Sequence, residues 1–235
     1  FHLFIDFVAA YDNVNREKLF QAMEEFEIPG KLINLTKATL RNVRCRVRIQ
    51  NKITEEFITQ KGLRQGDALS CLLFNIALEK VVRESGIDTR GTIFQKSIQL
   101  LAYADDVDII GRSEKAVGEA FDKLETAARK MGLMINQEKT KYMEMTNNRT
   151  NKDSIKIKHY KFECVKQFKY LGTIITYDNN ITTEINARIY IANKSYYGLK
   201  KQLQSHFLSK KTKCKLYKTL IRPVLTYGAE SWILN

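Results

Sequence analysis

Apolar positions near the start of the chain change their spacing from strand-like to helical. The apolar run at residues 3–7 predicts a buried strand, and apolar side chains then recur at helical spacing over residues 16–26 and 31–41. Pro29 and Gly30 separate these last two segments. We therefore expect one strand followed by two helices.

The next segments predict a hairpin, a loop and a long helix. Residues 44–59 alternate apolar and basic side chains and contain a turn near Asn51, which is typical of a hairpin with one basic face. Residues 61–67 predict a loop, and the strongly apolar residues 69–82 predict the helix.

Two adjacent aspartates stand between the next two apolar segments. Residues 98–103 and 107–110 predict short strands, and only Ala104, Asp105 and Asp106 lie between them. The sequence therefore predicts a tight hairpin with carboxylates at its tip.

The remaining chain predicts one more helix, a loop, further strands and a helical end. Ser113 is a suitable N-cap for a helix that ends at Gly132. Residues 147–158 are polar and predict an exposed loop, and strands resume over residues 168–176. Long basic helices follow, with apolar side chains in one stripe. The members of this stripe are Ile185, Ile189, Ala192, Tyr196, Leu199 and Leu203.

This order of elements predicts an α+β fold in which helices pack on one face of an antiparallel sheet. The texture of the sequence changes near Asn179, so we expect one domain over residues 1–178 and a second, helical one over residues 179–235. The chain opens at Phe1 inside an apolar run, which suggests a fragment of a longer polypeptide.

Charge and composition limit the classes of molecule that this protein is expected to bind. Lys and Arg number 39 against 26 Asp and Glu, a formal net charge of +13 over 235 residues, which favours a polyanion such as nucleic acid or an acidic membrane surface. The sequence contains no apolar run of membrane-spanning length and no secretory signal, so we expect an intracellular protein that does not insert into membranes. Its four cysteines lack the spacing of a metal site or disulfide framework, so we expect them to be reduced.

Three aspartates are the candidate chemical groups. Asp6 ends the first predicted strand and Asp105 and Asp106 lie at the hairpin tip, so they meet if those strands are neighbours. Nucleotidyl transfer uses two metal ions roughly 3.5 to 4 Å apart, held by carboxylates from different elements. The alternative is structural, with Asp106 capping a turn and Asp6 ending a strand.

Five segments, in order, resemble the motifs of reverse transcriptases from non-LTR (LINE-type) retrotransposons. They lie at residues 4–12 (FIDFVAAYD), 61–70 (KGLRQGDALS), 103–106 (YADD), 132–140 (GLMINQEKT) and 168–172 (FKYLG). The resemblance implies a right-hand polymerase palm followed by a helical thumb, and an RNA-directed DNA polymerase that uses an RNA template, a DNA primer and dNTPs. Full-length members of this family usually carry an endonuclease in the same polypeptide, so the resemblance implies one in the full-length form of this chain. We expect this protein in the cytoplasm and nucleus.

The resemblance also implies roles for single residues. Asp6 and Asp105 would hold two Mg²⁺ ions, or Mn²⁺ in their place, with Asp106 as a supporting ligand and Phe7 lending a backbone carbonyl. Tyr11 corresponds to the aromatic gate that excludes a ribose 2′-OH, although it also suits an ordinary core position.

Further roles concern the nucleotide and the primer. Gln65 and Gly66 would lie under the nucleotide, or simply form the loop before a helix, and Lys139 would protonate pyrophosphate, or be a solvated lysine. The primer grip would be Tyr170, Leu171 and Gly172. An RNA/DNA hybrid would run along the basic thumb residues, unless these only form a solvated face. They are Arg188, Lys194, Lys200, Lys201, Lys210, Lys211, Lys213, Lys215, Lys218 and Arg222.

Two departures and several alternatives accompany this resemblance. Cys71 stands where the family often has proline, and the fingers strands that grip the triphosphate are missing, so we expect the isolated fragment to be weakly active or inactive. The alternatives are a group II intron maturase, a viral RNA polymerase, and a catalytically inactive RNA-binding protein derived from a retroelement. Tyr11 and Ala104 disfavour the viral polymerase.

Overall fold

The computed structural model describes residues 1–88, 98–146 and 152–232, which form an α+β fold, as the sequence predicts. Contacts divide the chain into two compact units, Phe1–Met143 with Thr150–Cys164, and Glu144–Arg149 with Val165–Asn235.

The first unit contains ten strands and five helices in its described residues. The strands are β1 (His2–Ile5), β2 (Val43–Cys45), β3 (Arg48–Ile49), β4 (Lys52–Ile53), β5 (Phe57–Thr59), β6 (Gln99–Tyr103), β7 (Asp106–Ile110), β8 (Lys141–Met143), β9 (Ser154–Ile157) and β10 (Tyr160–Cys164). The helices are α1 (Ala10–Asn13), α2 (Arg16–Glu25), α3 (Gly30–Leu40), α4 (Ala68–Ser85) and α5 (Glu114–Lys130).

A six-stranded sheet in the order β6-β7-β1-β8-β10-β9 organises this unit. Neighbouring strands are antiparallel except β8 and β10, which run parallel. The expectation of a purely antiparallel sheet is therefore wrong for this one pair. The physical reason is that the β9-β10 hairpin joins the sheet through its second strand, in the same direction as β8.

The core lies on one face of this sheet. Leu3 and Ile5 of β1 and Val107 and Ile109 of β7 are buried in the same apolar cluster as residues of α2, α4 and α5. Alternate residues of a strand point to opposite faces, so the intervening side chains of β1 and β7 lie on the other face. Phe4 and Asp108 occupy that second face and are buried too.

The predicted loop at residues 147–158 is the clearest error in the first unit. Residues 147–151 lie outside the described residues, but β9 begins at Ser154 and pairs with β10. Ile155 and Ile157 are buried in the core cluster while Lys156 between them is exposed. Two apolar residues among charged ones were too weak a pattern to predict a strand from the sequence.

The second unit consists of a hairpin and helices. They are β11 (Gln167–Tyr170), β12 (Thr173–Thr176), α6 (Ile181–Gly198), α7 (Lys200–Gln204), α8 (Lys210–Leu216), a π-helical turn (Tyr217–Ile221), α9 (Arg222–Thr226) and a 3₁₀ turn (Ala229–Ser231). The hairpin packs against α6 within this unit. The division into domains at residues 178 and 179 stays a prediction.

The buried positions of α6 differ from the predicted apolar stripe. Glu184, Arg188 and Ala192 are the buried residues of this helix, whereas Ile189 and Tyr196 are exposed. The expectation that Arg188 lies on a phosphate-binding face is therefore wrong, because its guanidinium is buried beside Glu184. In the described part of the chain, no helix is both long and apolar enough to cross a lipid bilayer.

Gly132 lies where the turn after α5 meets the end of α1. Its φ is +89°, and a Cβ atom added there would overlap the Asn13 carbonyl oxygen. The backbone of Asn15 donates a hydrogen bond to the Met131 carbonyl at 2.8 Å, which fixes this close approach. Only glycine suits both the positive φ and the contact.

Replacing this glycine should destabilise the first unit. We expect Gly132→Ala to lower the free energy of unfolding by about 2 kcal/mol or more, because strain at positive φ adds to the overlap. Gly30→Ala is the matched control, since no heavy atom lies within 4 Å of an added Cβ there. Urea unfolding of both variants measures the difference, and equal midpoints would contradict this account.

Candidate active site

The pairing of β1 with β7 brings two of the predicted aspartates together. Phe4 pairs with Asp108 and Ile5 pairs with Val107. One further step of this antiparallel register sets Asp6 opposite Asp106, on the face of the sheet away from the core helices. Side chains at opposed positions have Cβ atoms about 4.5 to 5.5 Å apart, so the carboxylates face each other at close range.

Asp105 reaches the same place through a two-residue turn. Tyr103 pairs with Asp106, so Ala104 and Asp105 alone form the turn between β6 and β7. Ala104 has a φ of +52°, a left-handed conformation that costs free energy for any residue with a Cβ atom. Such strain at a tight turn is typical of functional sites.

The end of β1 is held by residues that follow α5. The Asp6 carbonyl accepts a hydrogen bond from the Asn136 amide at 2.8 Å, and the Asp6 amide donates to Thr140 Oγ1 at 3.2 Å. Phe7 lies opposite Ile135 in an isolated antiparallel β-bridge. The two hydrogen bonds of this bridge run from the Val8 amide to the Met134 carbonyl and from the Asn136 amide to the Asp6 carbonyl, so neither uses the Phe7 carbonyl. Asp6 is thus fixed on its backbone while its side chain remains available.

Three carboxylates crowd this face of the sheet. The pKa of Asp106 is raised above its usual value, because the group is partly desolvated and because Asp105 and Asp6 carry like charge. Asp6 Oδ2 is buried and has no hydrogen-bond partner among the described residues, and Lys139 Nζ lies 3.8 Å from it. The site therefore favours a cation.

The carboxylate oxygens at this site are ligands of the type that a divalent metal ion prefers. Within residues 1–88, 98–146 and 152–232, no three acidic, histidine or cysteine side chains converge closely enough to hold a metal by themselves. Magnesium at phosphoryl-transfer sites needs only one or two carboxylates, because substrate phosphates and water complete its shell. Asp6, Asp105 and Asp106 supply such oxygens, and the unpartnered Asp6 Oδ2 fits this use.

Tyr11 stands beside the carboxylates. Its ring stacks on Phe74 of α4, with centroids 4.6 Å apart. Burial raises the pKa of Tyr11 to about 12, and a hydrogen bond with Cys71 and the charge of Asp105 add to the effect. The departure at Cys71 thus affects the site, because the Cys71 thiol contributes to the raised pKa of Tyr11.

The loop that carries Gln65 is tied to α1. Gln65 Nε2 donates to Asp12 Oδ2 at 3.1 Å, and the Leu63 amide donates to the Tyr11 carbonyl at 2.8 Å. Gly66 has a φ of +88° and open space around it, so its backbone is accessible. Gln65 and Tyr11 therefore lie in two segments that are hydrogen-bonded to each other. The sequence analysis did not predict that Asp12 makes one of these contacts.

Arg16 is a further residue that sequence analysis missed. Its guanidinium, on a residue only 7% exposed, donates to the carbonyls of Gly62 at 2.8 Å, Leu40 at 2.8 Å and Thr59 at 2.6 Å. Burial, and then the charge of Arg64, lower the pKa of Arg16 from its usual value. Arg16 thus supports the start of the Gln65 loop. An arginine at the start of a helix gave no signal of this.

The predicted primer grip lies in the second unit. Tyr170 ends β11, and Leu171 and Gly172 form the turn to β12. Both turn residues have positive φ, +46° at Leu171 and +85° at Gly172.

Comparison with known proteins identifies the family. The model of the reverse transcriptase (RNA-dependent DNA polymerase) family matches residues 1–175. The chain therefore belongs to the reverse transcriptase family. Its relatives include retrotransposon proteins, which confirms the resemblance to the non-LTR kind.

Two relatives and one solved structure illustrate the similarity. The Pol polyprotein of the type-1 retrotransposable element R2 from Nasonia vitripennis is 24% identical, covering 77% of this chain and 19% of its own length. The probable RNA-directed DNA polymerase from transposon X-element of Drosophila melanogaster is 25% identical, covering 98% and 25%. Telomerase from Candida tropicalis, in complex with a fragment of telomeric RNA, has a TM-score of 0.54 at 15% identity, covering 98% and 38%, and shows the same fold.

Removing one of the crowded carboxylates should stabilise the metal-free protein. A raised pKa means that the charged form of Asp106 opposes folding above that pKa, and this penalty disappears below the usual carboxyl pKa. Because Asp106 is exposed, solvent screens part of this repulsion. We therefore expect Asp106→Asn to raise the free energy of unfolding at pH 7 only slightly, by at most about 0.5 kcal/mol, and the gain to vanish near pH 3. Urea unfolding at both pH values tests this. Asp153→Asn is the control, because Asp153 is also exposed. An equal gain in the free energy of unfolding of Asp153→Asn would contradict the explanation.

Proposed function

We propose that this chain is the catalytic part of an RNA-directed DNA polymerase that transfers nucleotides from dNTPs to a DNA primer on an RNA template. The observation that carries the proposal is the β1-β7 register, with Asp6 opposite Asp106 and Asp105 in the adjoining turn. The family match supports the same chemistry.

The proposed metal ligands are Asp6, Asp105 and Asp106, with the Phe7 carbonyl as a further donor. We infer two Mg²⁺ ions, with Mn²⁺ able to replace them. When bound, such a pair activates the attacking 3′-hydroxyl and neutralises charge on the transferring phosphate. The protein's own task is to hold the carboxylates in place, and the anchoring of Asp6 by Asn136 and Thr140 supports this role.

The residues around the carboxylates suit a bound nucleotide. The stacked ring of Tyr11 would occupy the space of a ribose 2′-hydroxyl, and Gln65 and the open backbone at Gly66 would lie beneath the base and template. Lys139, whose Nζ is 3.8 Å from Asp6 Oδ2, would donate a proton to the departing pyrophosphate.

The helical part would hold the template-primer duplex. The predicted lysines, from Lys194 to Lys218, carry positive charge suited to phosphate contacts, which are sensitive to salt and independent of sequence. Tyr170, Leu171 and Gly172 would contact the primer. We also propose an endonuclease elsewhere in the full-length polypeptide and a location in cytoplasm and nucleus.

The first test is extension of a DNA primer on an RNA template by the full-length protein. We expect activity that depends on Mg²⁺, and a loss of roughly a thousandfold or more when Asp105→Asn and Asp106→Asn are combined. Asp153→Asn is the control and should extend like the wild type.

The outcome separates the proposal from its rival. Extension lost in the double variant while binding of the hybrid persists supports the polymerase and its ligands. A wild-type protein that binds the hybrid but never extends it would instead favour an inactive RNA-binding protein derived from a retroelement.

The aromatic gate has its own test. We expect Tyr11→Ala to lower the preference for dNTP over rNTP by about tenfold, whereas Tyr11→Phe, which keeps the ring, should change it by less than about twofold. The ratio of kcat/KM for the two nucleotides is the measurement, because it does not depend on the fraction of folded enzyme. An unchanged ratio in Tyr11→Ala would leave Tyr11 a core residue.

A further inference from the structure

The turn between β11 and β12 is strained and has an unusual sequence. Type I′ hairpin turns require positive φ at both central residues and favour Asn-Gly or Asp-Gly there. Here the pair is Leu171 and Gly172, with φ values of +46° and +85°. A leucine in this conformation opposes the turn, so contacts from elsewhere must maintain it.

Two side chains from distant parts of the second unit bind this turn. The Tyr227 hydroxyl donates to the Leu171 carbonyl oxygen at 2.7 Å, and Arg188 Nη2 donates to the Gly172 carbonyl oxygen. The Arg188 guanidinium also lies 4.6 Å from the centre of the Tyr227 ring, a cation-π arrangement. Both carbonyl groups of the turn are therefore fixed from outside the hairpin.

Glu184 completes the arrangement. It pairs with Arg188 Nε through Oε1 and accepts a hydrogen bond from the Ile174 amide through Oε2 at 2.8 Å. Glu184 is 3% exposed and Arg188 is 8% exposed. A buried ion pair contributes little net stability after desolvation, so its use here is better explained by the geometry that it imposes.

Close packing limits the freedom of the turn further. A Cβ atom on Gly172 would lie 3.5 Å from the Tyr227 ring, and one on Gly228 would lie 3.1 Å from Thr173 Oγ1. The chain on either side of Tyr227 is thus in direct contact with the hairpin.

We propose that Glu184, Arg188 and Tyr227 are positioning residues that hold the Leu171-Gly172 turn in the conformation that retains the primer end. The inference rests on the proposed polymerase function and goes beyond it, because it assigns work to three helical-segment residues outside the predicted grip. Arg188 acts through the turn carbonyl and not through a nucleic-acid phosphate.

Processivity is the appropriate measurement. Full-length enzyme bound to a labelled primer-template is started in the presence of excess unlabelled primer-template, so each molecule extends one primer once. Product lengths then give the probability of dissociation per nucleotide, which is independent of the fraction of folded enzyme. The variants are Tyr227→Phe and Arg188→Lys. The control is Tyr190→Phe, a tyrosine of α6 that is 73% exposed.

The expected result is earlier dissociation from the primer-template in both Tyr227→Phe and Arg188→Lys. Loss of one hydrogen bond in Tyr227→Phe should raise the probability of dissociation per nucleotide by about threefold. Loss of the stronger, charged contact in Arg188→Lys should raise it by about tenfold. The KM for dNTP should stay within about twofold of the wild type, since the nucleotide site is unaltered. Tyr190→Phe should match the wild type throughout.

Other outcomes overturn the inference. Unchanged product lengths in both variants would do so, even if total yield fell, because lower yield alone indicates a structural role. If Arg188→Lys does not fold, Tyr227→Phe decides the question by itself. Failure of the wild type to extend any primer would refute the polymerase proposal instead, and is recognised before the variants are compared.

Discussion

The antiparallel pairing of β1 with β7 is the interaction on which the rest of the molecule depends. Its register places Leu3 and Ile5 in the core with Val107 and Ile109, and by the same alternation places Asp6 opposite Asp106. A shift of β1 by one residue would turn Asp6 towards the core helices and move Leu3 and Ile5 to the other face of the sheet. Hydrophobic burial therefore fixes the geometry of the charged site. The free energy of folding of the whole sheet offsets the repulsion between its carboxylates.

Much of this centre could be predicted from the sequence, because it is encoded in short local patterns. The apolar run before Asp6 and the two strands around Asp105 and Asp106 each indicate their structure alone, and the ordered motifs supply the link between them. The contacts of Arg16 could not be predicted. Its partners are backbone carbonyls at Leu40, Thr59 and Gly62, and carbonyl positions leave no trace in the sequence.

The errors share a physical cause, which is that hydrophobic patterns do not reveal polar burial or weak strands. On α6 the apolar stripe predicted one buried face, but the helix turns Glu184 and Arg188 inward, where they satisfy each other and the hairpin backbone. In β9, only Ile155 and Ile157 carry the signal, and the parallel pairing of β10 with β8 depends on tertiary contacts. The roles of all the site residues, including the three aspartates, Tyr11, Lys139 and the primer grip, remain predictions.

The burial of the Glu184–Arg188 pair has a consequence for ionic strength. Mobile ions screen exposed charges over about 10 Å at 0.1 M salt but act weakly on a pair sheltered from solvent. The exposed lysines of the helical segment and the sheltered pair therefore respond differently to added salt. Added salt should therefore weaken the contacts of these lysines with a polyanion while leaving the shape of the Leu171-Gly172 turn intact. Under the proposed function, salt would lower the affinity for a nucleic acid without changing the alignment of the primer end.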